Sequence, residues 1–437
     1  MSLFLGPMCA HIPGHKELSD KGEAQRLRPE KNVYIPLFAG NGGTVEILVN
    51  EGDHVDIGTR LANTKSAFPV PLYSSVSGTY TGTVKMPHNS MRPQQHMVIE
   101  LDETQTRIQS FEPMNPDTAS HEEMVERIKE AGIIGQGGAG FPTYVKYSTK
   151  DPIDTVLVNA VECEPYITAD YKQVMDHPAE MVRGCIIAQK ISQAKQVIVC
   201  IKKSHPDLID VVNAEIKNQN AGSFVRTEAV PDVYPMGAER TLIRTVIKRE
   251  YNRLPSECGV IVNNCGTLIC VANAFDKGYT LAEKYVTVSG EAIAQPMNVI
   301  VPIGMQVSEI LPAAGGIVSG LQDCLLISGG PMMGKTMVND QWVIDRANNA
   351  ITVLKNETLP DMTCMRCGQC VSHCPIGLQP VRIAQAVKAN DTVEMDKRGA
   401  MLCVECGLCT YVCPSHIQVT ENVRKAKRTL AMKNRKK

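Results

Sequence analysis

The spacing of hydrophobic and polar residues changes along the chain, and each pattern predicts a different kind of structure. Residues 33–101 alternate short apolar runs with glycine, which predicts a small all-β unit. Residues 117–278 alternate strand-like runs with helical stripes, and such repeated β and α units predict a parallel sheet covered by helices. Residues 283–344 return to β-rich sequence and predict a separate small β-grasp unit, beyond which cysteine motifs begin.

Local signals place the elements of the central unit. Ser120 followed by Glu123 is a capping box that begins a helix, and Gly132 ends that helix. The pattern predicts strands at 154–158 and 196–201. It predicts helices at about 179–193, after residue 206, and over 237–250, the last of them long and amphipathic.

Composition excludes several classes of protein. The chain has 437 residues and a formal net charge of −1. Its length favours about three domains, and its charge argues against nucleic-acid binding. No apolar stretch of about 18 residues occurs, and residues 1–10 lack the basic start and apolar core of a signal peptide. We therefore expect neither a membrane span nor secretion by that route.

Cysteine is the unusual part of the composition. Eight of the 16 cysteines lie between Cys364 and Cys413. Because the sequence shows no secretory signal, such clustered thiols are expected to hold metal and not to form disulfides. The others are scattered among apolar neighbours and are expected to be inert core residues: Cys9, Cys163, Cys185, Cys200, Cys258, Cys265, Cys270 and Cys324.

The clustered cysteines form two runs with the C-x2-C-x2-C-x3-C-P spacing of bacterial two-cluster ferredoxins. Three thiolates of such a run bind one cubane, and the fourth reaches the neighbouring cubane, so the ligand sets cross. A zinc site would leave the third cysteine and the proline of each run unexplained. We predict two [4Fe-4S] clusters and hence a protein that moves electrons. One cluster is assigned to Cys364, Cys367, Cys370 and Cys413, and the other to Cys374, Cys403, Cys406 and Cys409.

The segment from Gly135 to Gly140 reads G-x-G-x-x-G. It follows a predicted helix and not a strand, so it fails the context of an ordinary dinucleotide fingerprint. Pro142 at a first helical position would begin a helix whose free amides, with those of the glycines, face a phosphate. Lys146, one turn into that helix, would add positive charge. The alternative is a flexible glycine linker.

A second glycine motif matches the nucleotide-binding P-loop without its context. Residues 329–336 fit G-x4-G-K-[ST]. A P-loop needs a helix directly after the lysine, whereas the residues after Lys335 read as a turn and a strand, and Pro331 removes an amide from the cradle. We predict that this motif binds neither ATP nor GTP.

Residues 33–101 resemble the lipoyl- or biotinyl-type barrel-sandwich domains through the run V-x-x-G-D-x-V-x-x-G-x-x-L. Those carriers present one modified lysine on a hairpin tip, and Lys65 is the only nearby candidate. Its neighbours, Asn-Thr-Lys-Ser, are not a carrier motif. We expect a structural role for this unit, with covalent cofactor attachment as the alternative.

Four motifs in order resemble the flavin and NADH site of the flavin-bearing subunit of respiratory complex I. They are G-Q-G-G-A-G-F-P-T at 135–143, N-A-V-E-C-E-P at 159–165, Y-P-M-G-A-E at 234–239 and V-N-N at 262–264. Other features resemble more specifically the RnfC family, the peripheral subunits of Rnf electron-transport complexes, over nearly the whole chain. These are H-I-P-G-H-K-E at 11–17, the barrel-sandwich segment, G-G-P-M-M-G at 329–334 and the double ferredoxin motif.

The resemblance implies a multidomain α/β and β protein. Its parts would be an N-terminal extension (1–32), a barrel-sandwich hybrid (33–110), a Rossmann-like parallel-sheet FMN/NADH-binding domain (115–279), a small β-grasp, SLBB-like domain (280–350), an α-helical two-cluster ferredoxin domain (355–420) and a basic tail (421–437). The charge of the tail is typical of a solvated, frayed end. The alternative is docking to an anionic membrane surface or an acidic partner.

The resemblance also implies the site residues. FMN would be cradled by Gly135, Gly137, Gly138 and Gly140, with further contacts from Lys146, Asn159, Gly237, Asn263 and Asn264. NADH would stack on the flavin, with Glu162 and Glu164 as candidate catalytic residues and Tyr234 lining the site. The complex I pattern has an aspartate and a glutamate where Val161 and Ala238 stand here, so flavin and NADH contacts at those positions differ. The alternative for the two glutamates is a structural turn.

A hydride carries two electrons, each cluster takes one, and a flavin can bridge the two. We predict an NADH-oxidising, FMN-containing electron-input subunit of the NADH:ferredoxin oxidoreductase type. It would pass electrons to ferredoxin or to other Rnf-type membrane subunits, which carry out the ion translocation, as a peripheral protein on the cytoplasmic face of the cell membrane. The enzyme alternative is a soluble corrin reductase of the propanediol-utilisation type. The non-enzyme alternative is an electron-transfer adaptor, as in proline-reductase systems.

Overall fold

The computed structural model describes residues 8–40, 43–318, 323–357, 359–360 and 362–435. The first seven residues of the predicted N-terminal extension and the end of the predicted basic tail lie outside the described residues. The described elements group into four units in chain order, each with a buried hydrophobic cluster of its own. This arrangement confirms the predicted multidomain α/β and β class.

The first unit consists of two small antiparallel sheets. A two-residue strand, β1 (Gln25–Arg26), precedes the unit and joins a different sheet. The strands of the unit are β2 (Asn32–Pro36), β3 (Thr44–Ile47), β4 (His54–Val55), β5 (Arg60–Lys65), β6 (Pro71–Tyr73), β7 (Gly78–Met86) and β8 (Gln94–Leu101). One sheet has the order β2-β8-β7-β4 and the other β3-β5-β6. Lys65 ends β5 and pairs with Glu46 across the sheet, Nζ to Oε2 2.9 Å, so it does not occupy a hairpin tip.

The second unit is built on a four-stranded parallel sheet with the order β11-β10-β9-β12. Helices pack on it around a core that includes Val158, Val199, Leu268 and Phe275. Its strands are β9 (Thr155–Ala160), β10 (Gln196–Lys202), β11 (Val225–Val230) and β12 (Val260–Asn264). Its helices are α1 (His121–Glu130), α2 (Thr143–Tyr147), α3 (Ala169–Asp176), α4 (Pro178–Ser192), α5 (Pro206–Asn218), α6 (Glu239–Val246) and α7 (Cys265–Asp276).

The capping box predicted at the start of α1 is present, because the Ser120 hydroxyl accepts from the Glu123 amide and the Glu123 carboxylate accepts from the Ser120 amide. The long helix predicted over 237–250 is wrong, since α6 ends at Val246. The Arg240 guanidinium donates to the carbonyl oxygens of Tyr251 and Asn252, so the chain folds back where the amphipathic pattern continues.

The third unit is a six-stranded mixed sheet with the order β1-β14-β13-β17-β15-β16. Its further elements are β13 (Glu283–Ser289), β14 (Met297–Pro302), α8 (Val307–Ile310), β15 (Cys324–Ser328), β16 (Lys335–Met337) and β17 (Ala350–Lys355). The N-terminal segment therefore contributes a strand to this sheet, and β17 extends it to Lys355. Lys335 opens a strand, which confirms that the P-loop-like motif lacks the helix that a P-loop needs.

The fourth unit holds the cysteine motifs among short helices. They are α9 (Gln369–Ser372), α10 (Pro380–Lys388), α11 (Thr392–Lys397), α12 (Leu408–Tyr411) and α13 (Val419–Arg435). The frayed tail predicted from its charge is wrong for the described residues, because Val423, Ala426 and Leu430 on α13 are buried against the rest of the unit. These three residues are three and four positions apart, which places them in an apolar stripe on one face of the helix. The lysines and arginines around them make this stripe difficult to recognise in the sequence.

Short 3-10 helices complete the described elements: Lys16–Leu18, Pro255–Cys258, Leu311–Ala314 and Ala400–Leu402. Among the described residues, the chain has no helix with the length and apolar character needed to cross a bilayer.

Candidate functional site

The carboxyl ends of the parallel strands bring several predicted site residues together. Asn159 in β9 pairs in register with Asn264 at the end of β12, and Asn263 precedes it. Open parallel sheets bind ligands in the crevice outside these strand ends. The Asn264 side-chain oxygen accepts hydrogen bonds from the amides of Gly266 at 2.9 Å and Thr267 at 3.4 Å, so this residue also caps α7.

The glycine loop, residues 135–140, crosses this edge of the sheet. A Cβ built on Gly137 would lie 3.5 Å from the Asn264 amide nitrogen, so the loop rests on that side chain. Gly138 and Gly140 have φ angles of 94° and 61°, which favour glycine, and the space beyond Gly138 is open. Among the described residues, the amides of 137–140 donate no hydrogen bonds. Free amides and open space fit a phosphate-bearing cofactor such as FMN.

The helix after this loop differs from the prediction. Pro142 is the N-cap of α2, not its first residue, and α2 has five residues. The Thr143 amide donates to the Ile133 carbonyl oxygen at 3.0 Å, so it does not face a ligand. The Lys146 ammonium donates to the Val262 carbonyl oxygen at 2.6 Å, and burial lowers its pKa. The helix therefore anchors the loop to β12.

Asn263 carries an orphaned polar atom at the same strand end. Its amide nitrogen donates to the Tyr147 hydroxyl at 2.7 Å. Its side-chain oxygen is buried and has no partner among the described residues. An unpaired buried acceptor is costly, which is consistent with a ligand donor in the loaded protein.

A cavity of about 580 Å³ adjoins the glycine loop, and Gly138 and Gly140 line it. Residues of two other units wall it, among them Phe68 of the first unit and Arg346 of the third. Phe68 also meets Phe141 edge to face, with 5.7 Å between ring centroids. The volume lies in the range of small-molecule sites. Sequence reasoning missed this contribution because nothing in the separate motifs signals that the units meet here.

Glu162 and Tyr166 lie in a strained loop between β9 and α3. Their φ angles are 44° and 66°, in the left-handed region that is rare for residues other than glycine. Such strain costs about 1–3 kcal/mol per residue and persists only where the surroundings enforce it. The Glu162 carboxylate accepts from the amides of Asp170 at 2.7 Å and Tyr171 at 3.4 Å, so it caps the start of α3.

The Glu164 side chain makes different contacts from those of Glu162. Its carboxylate accepts from the Met332 amide at 3.1 Å and lies 3.4 Å from the Tyr234 hydroxyl. Burial raises the pKa of Glu164 to about 7, against the Met332 hydrogen bond and the nearby Lys16 charge, which lower it. Near neutral pH this carboxyl is therefore protonated in part of the molecules.

Asp170 and Lys284 belong to the site although sequence reasoning missed them. The Asp170 carboxylate accepts from the Asn264 amide nitrogen at 2.7 Å, and the Lys284 ammonium donates to the side-chain oxygen of Gln136 in the glycine loop. Burial, and then the charge of Glu162, raises the pKa of Asp170, whereas burial lowers that of Lys284. Asp170 has no motif around it, and Lys284 is a single cation in an apolar strand.

The cysteines of the two motifs lie close together, within and between the predicted sets, since Cys409 also interacts electrostatically with Cys370. Cys370 interacts electrostatically with Cys413, Cys367 and Cys364. Cys406 interacts with Cys409, Cys403 and Cys374, and these four line one small cavity. No group of three or more His, Cys, Asp or Glu side chains in the described part of the chain converges on a single ion. A cubane holds its thiolates further apart than one ion does, so the arrangement fits clusters.

Hydrogen-bond donors around the sulfurs add to this fit. The Leu378 amide donates to Cys374 Sγ and the Glu405 amide to Cys403 Sγ, each at 3.3 Å. Cys409 Sγ lies 3.3 Å from the Thr420 hydroxyl. Such N–H and O–H donors to sulfur help to set the potential of an iron–sulfur cluster.

Tyr234 joins the two sites. It is 2% exposed and packs with Cys406 and Leu408. Its hydroxyl donates to the Cys406 carbonyl oxygen and faces Glu164. Gly237 follows three residues later, and its carbonyl oxygen accepts from the Asn159 amide nitrogen at 2.9 Å. The segment 234–237 thus spans from the sheet edge to Cys406, a predicted cluster ligand.

Family models match the chain in four consecutive segments. They are the RnfC barrel sandwich hybrid domain at residues 7–104, the Nuo51 FMN-binding domain at 128–273, the SLBB domain at 285–336 and the 4Fe-4S dicluster domain at 363–417. The four matches agree in order and type with the four observed units.

Known proteins match over most of the length. A subunit of the Na(+)-translocating ferredoxin:NAD(+) oxidoreductase complex of Acetobacterium woodii is 32% identical over 98% of this chain and 97% of its own. A subunit of the proton-translocating ferredoxin:NAD(+) oxidoreductase complex of Clostridium ljungdahlii is 33% identical over 80% of this chain and 77% of its own. Among solved structures, an NAD+-reducing [NiFe]-hydrogenase in the H2-reduced state has a TM-score of 0.49 and 18% identity over 71% of this chain and 63% of that chain.

Proposed function

The chain belongs to the RnfC family of Rnf-complex subunits, and we propose that it takes electrons from NADH on FMN and passes them through two [4Fe-4S] clusters. The observation that carries this proposal is Tyr234. This buried residue lies beside Glu164 at the predicted NADH site and donates to the carbonyl oxygen of the cluster ligand Cys406. Donor and acceptor sites therefore meet inside one chain.

The residues of the sheet edge would bind and orient the cofactor. The free amides of the glycine loop would bind its phosphate, Asn264 supports Gly137, and the orphaned oxygen of Asn263 would accept a hydrogen bond from it. When bound, FMN converts the two-electron chemistry of a hydride into one-electron steps. Val161 and Ala238 stand where the related complex I pattern has acidic residues, and Val161 packs in a hydrophobic cluster, so these two positions carry no charge here.

Glu164 is the group best placed to hold or release a proton during turnover. Its pKa of about 7 lets it change charge near neutral pH without a large free-energy cost. Glu162, in contrast, keeps its carboxylate on the amides of α3. Of the two glutamates, we therefore assign the proton-holding role to Glu164 and a positioning role to Glu162.

Other Rnf subunits are the partners expected for a family member, and the relatives are named as subunits of such complexes. We further propose ferredoxin or a ferredoxin-like subunit as the electron acceptor, and peripheral attachment to the cytoplasmic face of the membrane. The exposed basic residues of α13 support docking to an acidic or anionic surface.

Purified protein tests the proposal directly. Protein reconstituted with FMN and iron–sulfide should lose its flavin absorption on addition of NADH. Both clusters should then be reduced, which electron paramagnetic resonance would detect. An adaptor without NADH activity would keep its flavin oxidised. A corrin reductase would transfer the electrons to a cobalamin and would not co-purify with Rnf membrane subunits. Flavin that NADH does not bleach would contradict the proposal.

A further inference from the structure

The N-terminal segment His11–Glu17 contains a motif that the proposed function does not use. Before this segment, residue 8 lies against the cluster unit, where its amide donates to the Ser372 carbonyl oxygen at 2.9 Å. Ala10 then exchanges backbone hydrogen bonds with Tyr234. Further on, Ser19 contacts Thr168 through their hydroxyls at 2.8 Å. The segment therefore runs from the cluster unit along the predicted NADH site.

Lys16 is the residue by which this segment enters the site. Its ammonium donates to the carbonyl oxygens of Glu162 at 2.9 Å, Glu164 at 2.8 Å and Ile167. A lysine ammonium has three donors, so all are used, and all go to the backbone of one loop. Burial lowers the pKa of Lys16, which the charges of Glu162 and Glu164 oppose.

The loop that Lys16 holds, residues 162–167, is the strained one. Glu162 and Tyr166 both have left-handed backbone angles, and such conformations persist only where contacts enforce them. The Tyr166 amide donates to the Gly14 carbonyl oxygen at 2.7 Å, and its ring stacks on His15 with 4.5 Å between centroids. The same short segment thus fixes the loop at its carbonyls, at an amide and at a ring.

We infer that Lys16 is a positioning residue for the NADH site, an inference that rests on the proposed function. Its ammonium fixes the backbone from which the Glu162 and Glu164 side chains project in different directions. Without that charge, three part-buried carbonyl oxygens would lose their donor and the strained angles their support. The loop would then relax, and both carboxylates would leave the positions that the structure gives them.

The test compares Lys16→Met with Lys202→Met. Lys202 is a second lysine with a buried side chain, 7% exposed, that pairs with Asp232 at 2.8 Å, and its charge acts on Lys16. Lys202→Met removes a positive charge from the same region without removing a donor to residues 162–167. Hydrogen exchange of the amides of 163–167 and NADH dissociation constants would be measured for both variants and the wild type, together with flavin and iron content.

We expect Lys16→Met to speed exchange in residues 163–167 and to weaken NADH binding about tenfold or more, because charged hydrogen bonds are lost. Turnover at saturating NADH should fall as well, because Glu164 would leave its position, whereas flavin and iron content should be unchanged. Lys202→Met should match the wild type in loop exchange. If Lys16→Met does not fold, Lys16→Arg is the second variant, since a planar guanidinium does not aim three donors at three converging carbonyls.

Wild-type exchange in Lys16→Met, or in Lys16→Arg if only that variant folds, would overturn the inference. An equal effect of Lys202→Met would overturn it too, because the cause would then be charge and not the carbonyl contacts. Failure of the proposed function is a separate result. If the wild type binds no NADH, the exchange comparison still decides whether Lys16 holds the loop.

Discussion

Replacing Glu164 by glutamine should make the protein more stable at alkaline pH. Burial raises the pKa of this carboxyl to about 7 from its ordinary value of 4.5. Between those values the unfolded chain is ionised and the folded one is not, so stability falls as pH rises through this window and the whole loss is present above pH 7. A difference of about 2.5 pH units corresponds to about 3 kcal/mol of unfolding free energy.

Glu164→Gln lacks this loss because glutamine does not ionise, and its side-chain oxygen can still accept from the Met332 amide. The variant and the wild type should unfold at similar temperatures at pH 5, whereas at pH 8 the variant should unfold about 5–10 °C higher for a domain of this size. Thermal unfolding followed by circular dichroism would measure this. NADH affinity should also fall between pH 6 and 8 in the wild type only, since ionised Glu164 repels an anionic dinucleotide.

Glu291→Gln is the matched control for Glu164→Gln. Glu291 is exposed and accepts from the Tyr166 hydroxyl at 3.2 Å, so it contacts the same loop without being buried. This variant should follow the wild type at both pH values. The reasoning would be refuted if Glu164→Gln and the wild type differed by the same amount at pH 5 and pH 8, because the carboxyl would then not titrate in this window.

Four further variants test other parts of the structure. Cys413→Ser should halve the iron content and spare the cluster of the second motif, as measured by iron analysis and electron paramagnetic resonance. Gly138→Asp should lower both flavin binding and NADH binding and leave the iron content unchanged, because a carboxylate would face the free amides of the loop. Burial lowers the pKa of His96 to about 4, so at pH 5 this histidine is protonated in the unfolded chain and not in the folded one, which costs about 2 kcal/mol of unfolding free energy. His96→Leu should lack this cost, so acidification should lower its unfolding temperature less than that of the wild type. Leu430→Ala should cost about 2–4 kcal/mol in denaturant unfolding, whereas the exposed Lys425→Ala should cost little.

Patterns with a short period were sufficient to predict much of the fold. The alternation of strands and helices predicted the parallel sheet, and the capping box at Ser120 predicted the start of α1. The cysteine spacing predicts two ligand sets that cross, and this assignment stays a prediction, because Cys370 interacts electrostatically both with Cys413 and with Cys409 of the other set. The capping box and the spacing within each cysteine run are local signals, because the residues that carry them lie within one element or one turn of each other.

Contacts between distant segments could not be predicted in this way. Lys16 acts on carbonyl oxygens about 150 residues further along the chain, and backbone acceptors leave no mark in the sequence. Lys284 reaches the glycine loop from another unit for a similar reason. The stripe on α13 was overlooked because the charges between Val423 and Leu430 dominate the composition of that segment. The charge of a segment does not show which face of its helix is buried.

The two glutamates show how far a motif by itself can assign roles. Glu162 and Glu164 are two residues apart and share one resemblance, yet the left-handed angle at Glu162 turns the chain between them. One carboxylate therefore caps α3, and the other lies beside Tyr234 at the contact with the cluster unit. One loop thus combines a structural turn with a carboxyl at the proposed NADH site. Because Lys16 binds the carbonyl oxygens of both residues, the geometry that separates their roles depends on a segment that precedes β1, the first strand of the described part of the chain.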